Sequence, residues 1–212
     1  METLVLKAND VSAMPRALEL LRAGEIVALP TDTVYGIMAD GYNADAIEKL
    51  FIAKDRPSHK AIQLLIADAA DLERAAARVS PQARTLAETF FPGGLTLVVQ
   101  ARDDLPKNLR ADTDTIGVRL PDAPLVREIA RALGRPLAAT SANRSGGANP
   151  RTAQDVLRDL DGRVPLILDG GATPDSVPST VLDCTVEPPR VLRAGAIAIT
   201  EIEHALGMTL AY

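Results

Sequence analysis

Five short stretches concentrate hydroxyl, basic and glycine residues. They are Pro30-Thr31-Asp32-Thr33-Val34-Tyr35-Gly36, Lys54-Asp55-Arg56-Pro57, Pro92-Gly93-Gly94-Leu95-Thr96, Ser141-Ala142-Asn143-Arg144-Ser145-Gly146 and Ser179-Thr180. Each abuts a segment that reads as a β-strand, and Arg119 and Arg193 end two further strands. Strand-end loops are where open α/β sheets gather ligands. Hydroxyls, backbone amides and guanidinium groups are what a phosphate or carboxylate requires. Singly, each stretch also has a plainer reading. Asp32 and Thr33 could bond their own backbone in a turn. Lys54 and Arg56 could be the solvated end of a helix, favourable against its dipole, although Pro57 holds them in a helix-terminating loop. Gly93-Gly94 is a turn by itself, and Ser141 to Gly146 is a good capping string. Arg119 says most, because an arginine among apolar residues at a strand end requires an anionic partner.

Other chemistries drop out. The chain has no G-x-x-x-x-G-K-[ST] phosphate loop, no G-x-G-x-x-G after a strand and no G-x-S-x-G elbow. The two histidines, His59 and His204, lack ligand spacing to a second His or Cys, which argues against a zinc hydrolase. His59 reads as an exposed loop residue. Cys184, the single cysteine, has no evident base beside it and reads as a packed thiol. The site is expected to bind anions without a protein nucleophile.

Composition sets the outer limits. The chain has 212 residues, 47% of them apolar and 24% charged, which is ordinary globular usage. One domain spanning residues 1–212 is the expectation. The net charge of -5 argues against coating nucleic acid by bulk charge, though it allows a local basic groove. With no Trp, three Tyr and three Phe, a stacking platform for single strands is not expected. No apolar run approaches the ~18 residues of a membrane span. The opening METLVLKAND does not read as a signal peptide. A cytoplasmic location is expected.

The elements that must position these loops follow from hydrophobic period. Val11, Met14, Leu18 and Leu21 predict a helix that Gly24 could end. Helices are also predicted after Asn43 as cap, carrying Ile47, Leu50 and Phe51, over Asp68–Ala77, over Ser80–Phe91, from Asp122 through Leu133, and over Thr152–Leu160. Strands are predicted at Ile26–Leu29, Ile62–Ile66, Leu95–Gln100, Thr115–Leu120, Leu137–Thr140, Leu166–Leu168, Thr180–Asp183 and Arg190–Leu192. The interleaving is α/β. Some strands follow one another without a helix, so the sheet should be mixed.

Taken in order, the loops resemble the YrdC-like family of threonylcarbamoyl-AMP synthases (TsaC). The matching strings are PTDTVYG, KDRP, FPGGLTLV, GVRLPD, TSANRSG, STVLDC and VLRAG, spread from about residue 10 to Arg193. The resemblance implies one twisted mixed-sheet α/β domain with a concave basic cavity. It implies synthesis of L-threonylcarbamoyl-adenylate and pyrophosphate from L-threonine, bicarbonate and ATP. A downstream threonylcarbamoyl-transferase complex would then modify tRNA beside the anticodon. The family's signature Lys, Arg, Ser and Asn fall on Lys54, Arg56, Ser141 and Asn143. By the same resemblance, Thr31, Thr33, Arg119, Ser141 and Ser179 would contact threonine. Lys54, Arg56, Lys60, Thr115, Asn143, Arg151 and Arg193 would contact ATP. Mg²⁺ is expected to arrive on ATP's phosphates, held by substrate oxygens and waters rather than by a protein cage.

The chain departs from the family at Ile37-Met38-Ala39, at Gly94 and at Leu65, where many longer relatives carry a histidine. Longer relatives also add a covering second domain, which a chain ending at Tyr212 is not expected to have. Two other readings remain. One is a carbamoyl-adenylating module with a different acceptor. The other is an RNA-binding module using Arg144, Arg151 and Lys60, with direct tRNA contact.

Overall fold

A computed structural model describes residues 2–57, 60–111, 113–174 and 177–212. Its strands are β1 (Leu4–Lys7), β2 (Val27–Leu29), β3 (Gly36–Asp40), β4 (Gln63–Leu65), β5 (Ala76–Arg78), β6 (Leu95–Ala101), β7 (Thr115–Arg119), β8 (Leu137–Ser141), β9 (Leu166–Asp169), β10 (Thr180–Asp183) and β11 (Arg190–Arg193). Its helices are α1 (Ala13–Arg22), α2 (Ala44–Lys54), α3 (Leu72–Ala75), α4 (Pro81–Phe90), α5 (Pro124–Leu133), α6 (Ala153–Leu160) and α7 (Ile199–Leu206). The strands form one sheet in the order β1-β9-β2-β3-β8-β4-β7-β6-β10-β11, with β5 beside β6. Pairs β1·β9, β2·β9, β4·β7 and β6·β10 are parallel, and the remaining pairs are antiparallel. The sheet is therefore mixed, as the strand succession predicts.

Side chains alternate across a strand, so each strand serves two layers. On one face Ile37, Leu64, Leu97, Val118, Ala138 and Leu182 pack with α2, α4, α6 and α7 residues such as Leu50, Leu86, Val156 and Ile202. On the other face Val27, Leu29, Met38, Leu65, Ala139 and Leu166 pack under α1 and α5 through Leu18, Leu21, Val126 and Ile129. These two helices cover only part of that face. What they leave uncovered is the candidate site.

Local signals explain most boundaries. Asn43 caps α2, its side chain accepting from the Asp45 and Ala46 amides. Ser80 caps α4, with Pro81 at its first position. Thr152 and Asp155 form a reciprocal capping box at α6. Gly24 follows α1 at φ 73°, a left-handed conformation that glycine adopts without strain. Some expectations need correction. Val11 lies outside α1 and is 94% exposed, while Ala13 and Ala17 complete the buried stripe. Asp68–Ala77 is a 3-10 turn, the short α3 and the start of β5. The cap of α5 is Ala123 rather than Asp122, and Pro124 sets its first turn. Strands β1, β3 and β5 and helix α7 are not among the predicted elements.

Candidate functional site

The uncovered face carries a cavity of about 350 Å³. Its floor obeys the two-residue period of the strands. It uses Gly36 and Met38 of β3, Ala139 and Ser141 of β8, Gln63 and Leu65 of β4, Gly117 and Arg119 of β7, and Thr96 and Val98 of β6. Val181 of β10 and Arg193 of β11 continue it, and Thr31, Thr33, Arg56 and Ser179 form its walls. Glycine and short polar residues replace the large apolar ones at this end, so no helix has a surface to pack against. A Cβ at Gly117 would lie 3.2 Å from Thr96 Cγ2 and 3.5 Å from Gln63 Cβ, so the bare glycine keeps the floor open.

Arg119 finds its anionic partner within the chain. Its Nη2 donates to Asp32 Oδ1 at 2.6 Å, Nη1 to Thr33 Oγ1 at 3.0 Å and Nε to the Gly93 carbonyl at 2.8 Å. The side chain is 3% exposed. Of the five N–H groups of a guanidinium, these three bonds leave two for a ligand. The local turn bonds fall to Thr31 instead of Asp32 and Thr33. Thr31 Oγ1 accepts from the Thr33 and Val34 amides and donates to the Val34 carbonyl, which leaves Asp32 and Thr33 to face Arg119.

The end of α2 explains the Lys54-x-Arg56 spacing. Asp55 is left-handed at φ 51°, a conformation Asp tolerates better than most residues. Its carboxylate pairs with Arg144 and Arg163. The turn sends Lys54 inward, 1% exposed. Its Nζ donates to the Ser141 carbonyl, to the Asn143 carbonyl at 2.6 Å and to Asn143 Oδ1 at 3.0 Å. Burial, with the Arg56 charge adding to it and Asp159 opposing, pushes the ammonium down to about 7. The three oxygens favour the charged form, and burial outweighs them. Arg56 stays at the wall, donating to the Lys60 and Ala61 carbonyls at 3.3 and 2.9 Å.

Arg193 clasps Ser179. Nε and Nη2 donate to the Ser179 carbonyl at 3.0 and 2.8 Å, and Nη2 also donates to Ser179 Oγ at 3.0 Å. Burial lowers its pKa, and so does the like charge of Arg119. Asp32 offsets the charge of Arg119, whereas Arg56 and Arg193 have no ion-pair partner among the described residues and no carboxylate among them lines the cavity, which favours an anionic ligand.

All five sequence stretches reach the cavity, through Thr31 and Thr33, Arg56, Thr96, Ser141 and Ser179. Arg119 and Arg193 join them. Lys54 and Asn143 stand behind the wall and brace the turn that presents Ser141, whose Oγ donates to Asn143 Oδ1 at 2.6 Å. Thr115 lies at the opposite end of β7 from Arg119, against Thr113. Lys60 and Arg151 are exposed and outside the lining. Arg144 is bound to Asp55. His59 lies outside the described residues. Cys184 is buried, and burial together with Asp183 pushes its thiol up to about 12, as expected of an inert packed cysteine. Residues that the loop strings did not single out are Asp32 as partner of Arg119, and Gln63 on the floor. The signal for Gln63 was a lone amide inside the apolar run Ile62 to Ile66. Among the described residues no three His, Cys, Asp or Glu side chains gather to hold a metal ion.

The family model of the Sua5, YciO and YrdC proteins, described as "Telomere recombination", matches residues 19–195. The chain belongs to this family. It has relatives that match almost its full length. A Bacillus subtilis threonylcarbamoyl-AMP synthase is 42% identical over 203 residues, covering 95% of this chain and 58% of that protein. The crystal structure of Pyrococcus abyssi Sua5 complexed with L-threonine superposes with a TM-score of 0.95 at 35% identity, covering 99% of this chain and 63% of that one. Escherichia coli YciO superposes with a TM-score of 0.83 at 25% identity, covering 95% of this chain and 98% of that one. The chain thus spans about three fifths of the first two relatives. No helix among the described residues is long and apolar enough to cross a membrane.

Proposed function

We propose that this chain is a threonylcarbamoyl-AMP synthase, using L-threonine, bicarbonate and ATP to make L-threonylcarbamoyl-adenylate and pyrophosphate. The observation that carries the reading is a cavity lined by Arg56, Arg119 and Arg193 with no lining carboxylate among the described residues, within a fold shared with a threonine-bound relative. Bicarbonate loses hydroxide to give carbon dioxide, and threonine's amine adds to that carbon and loses a proton, which leaves with the hydroxide as water, to give a carbamate. A carbamate oxygen then attacks the α-phosphorus of ATP, and pyrophosphate leaves. Both reacting groups come from substrates, so no protein nucleophile takes part.

The protein aligns these groups and neutralises charge. Arg119 holds the threonine carboxylate with its two remaining N–H groups, oriented by Asp32 and Thr33. Arg56 and Arg193 face the phosphates, and Ser141 borders the reacting centre. Lys54 acts at one remove, bracing the Ser141–Asn143 turn. Mg²⁺ would travel on triphosphate oxygens. Among the described residues the lining offers it no carboxylate and contributes arginine charge instead. The adenylate would pass to a transferase that modifies tRNA, and a cytoplasmic location accords with that role.

The test is pyrophosphate release from ATP in bicarbonate and Mg²⁺, with and without L-threonine. Threonine-dependent release with a threonylcarbamoyl-adenylate peak is expected. Release indifferent to threonine overturns the assignment.

A further inference from the structure

A directional hydrogen-bond chain crosses the cavity floor. Arg193 Nη2 donates to Ser179 Oγ at 3.0 Å. Ser179 Oγ and Thr96 Oγ1 are 2.8 Å apart and share one proton. Thr96 Oγ1 donates to Gln63 Oε1 at 2.9 Å. A hydroxyl has a single proton to give. Because Thr96 gives its proton to Gln63, Ser179 must give its own to Thr96. The carboxamide of Gln63 then has its oxygen engaged by the protein. Its Nε2, with two N–H groups, has no hydrogen-bond partner among the described residues, on a side chain that lines the cavity.

The backbone explains how Gln63 reaches so far. Strands β4 and β7 are parallel with Leu64 opposite Val118, and β6 and β7 are antiparallel with Leu97 opposite Val118. Gln63 and Thr96 therefore flank β7 from either side, and the strand between them presents Gly117. With no side chain there, Gln63 extends over Gly117 to meet Thr96. Thr96 also neighbours Arg119 across the β6·β7 pair. The fixed amide thus lies on the same patch of floor as the guanidinium that takes the carboxylate.

We propose that Gln63 is a further substrate-binding residue, donating Nε2–H to an oxygen of the amino-acid substrate, with Thr96 as the residue that positions its amide. A donor is what this location calls for, because an amino acid or its carbamate presents oxygen acceptors beside Arg119. Ser179, having spent its proton on Thr96, is left to accept from the substrate's amine or hydroxyl. The floor would therefore read both ends of an amino-acid substrate. This inference rests on the synthase reading.

The experiment compares wild-type protein with Gln63→Met and Gln63→Glu, measuring L-threonine affinity by calorimetry and the KM values for threonine and ATP. Gln63→Met removes the donor at similar size. Gln63→Glu keeps the acceptor that Thr96 needs and replaces the outward donor with a carboxylate oxygen, which adds a negative charge, so the neutral Gln63→Met isolates loss of the donor from that charge. Both are expected to weaken threonine about tenfold or more, as an unmade hydrogen bond does. Both should leave the ATP KM within twofold. Gln63→Glu that binds threonine like wild type shows that the amide only serves Thr96, or faces the cavity with its oxygen, and overturns the proposal. An ATP KM that rises while threonine affinity holds also overturns it. Wild-type protein that binds no threonine removes the synthase reading, and this inference with it.

Discussion

Arg119 is held from three sides, and that makes its removal informative. Truncating one partner of a buried, hydrogen-bonded charge pair costs about 2–5 kcal/mol in binding. Arg119→Ala should therefore raise the threonine KM by about two orders of magnitude, and Arg119→Lys should not restore it, because a point charge cannot serve Asp32, Thr33, Gly93 and a carboxylate together. Steady-state kinetics with circular dichroism as a folding control checks this, and an unchanged KM removes Arg119 from the substrate role. Lys54 makes a different prediction, in pH. Its folded pKa of about 7 lies below the unfolded value of 10.5. Between those values the unfolded chain carries a proton that the folded chain lacks, so stability rises with pH across that window. Below about 7 both states are protonated and the folded protein bears the full cost of a buried ammonium. Lys54→Met lacks this rise and strands three buried oxygens. Its stability deficit, measured by urea unfolding, should be larger at pH 9 than at pH 6. A deficit that shrinks with pH would contradict a depressed pKa.

At the scale of elements, the residues that form a floor are those with least to say about their own strands. Helices α2, α4 and α6 were legible because Asn43, Ser80 and Thr152 announce their starts and their apolar residues recur at helical period. Strand β3 was not, because Gly36 to Asp40 follows directly on the PTDTVYG stretch and reads as its tail, and its five buried residues show no alternation. Strand β5 and helix α3 are three and four residues long, too short to show a period. The site was legible as a set of loops, but its floor was not. Sequence shows that Gly117 is a glycine on a strand, whereas only the sheet shows that Gln63 and Thr96 close over it. Strand β7 yields a prediction on this point. Gly117 has no positive φ that would forbid a side chain. Gly117→Ala should leave the fold intact, since alanine lowers the backbone-entropy cost of ordering a strand by ~0.5–1 kcal/mol relative to glycine. The new Cβ would press on Thr96 and Gln63, so the threonine KM should rise several-fold while the melting temperature holds. A variant that loses stability and affinity together would show that Gly117 serves packing rather than the cavity.

For the whole molecule, the sheet separates stability from function by face. One side is sealed by α2, α4, α6 and α7. The other is sealed by α1 and α5 only as far as Met38, Leu65 and Ala139, beyond which the sheet turns Ser141, Gln63, Gly117 and Thr96 toward the cavity. The charge is divided in a similar way. A chain of net charge -5 nevertheless places Arg56, Arg119 and Arg193 around one cavity, with Asp32 paired to Arg119. Such a site is assembled from segments far apart in sequence, which predicts the pattern of ligand-induced protection. Hydrogen exchange with L-threonine and a non-hydrolysable ATP analogue should slow amides at 31–36, 60–63, 93–96, 140–143 and 178–181 together. Amides of α4 and α7, on the sealed face, should exchange at unchanged rates. These five segments all border the cavity, so protection confined to one of them would mean a surface contact instead of occupancy. Protection reaching α4 and α7 equally would mean global stabilisation by binding, and the division of the sheet into a structural and a ligand face would then fail.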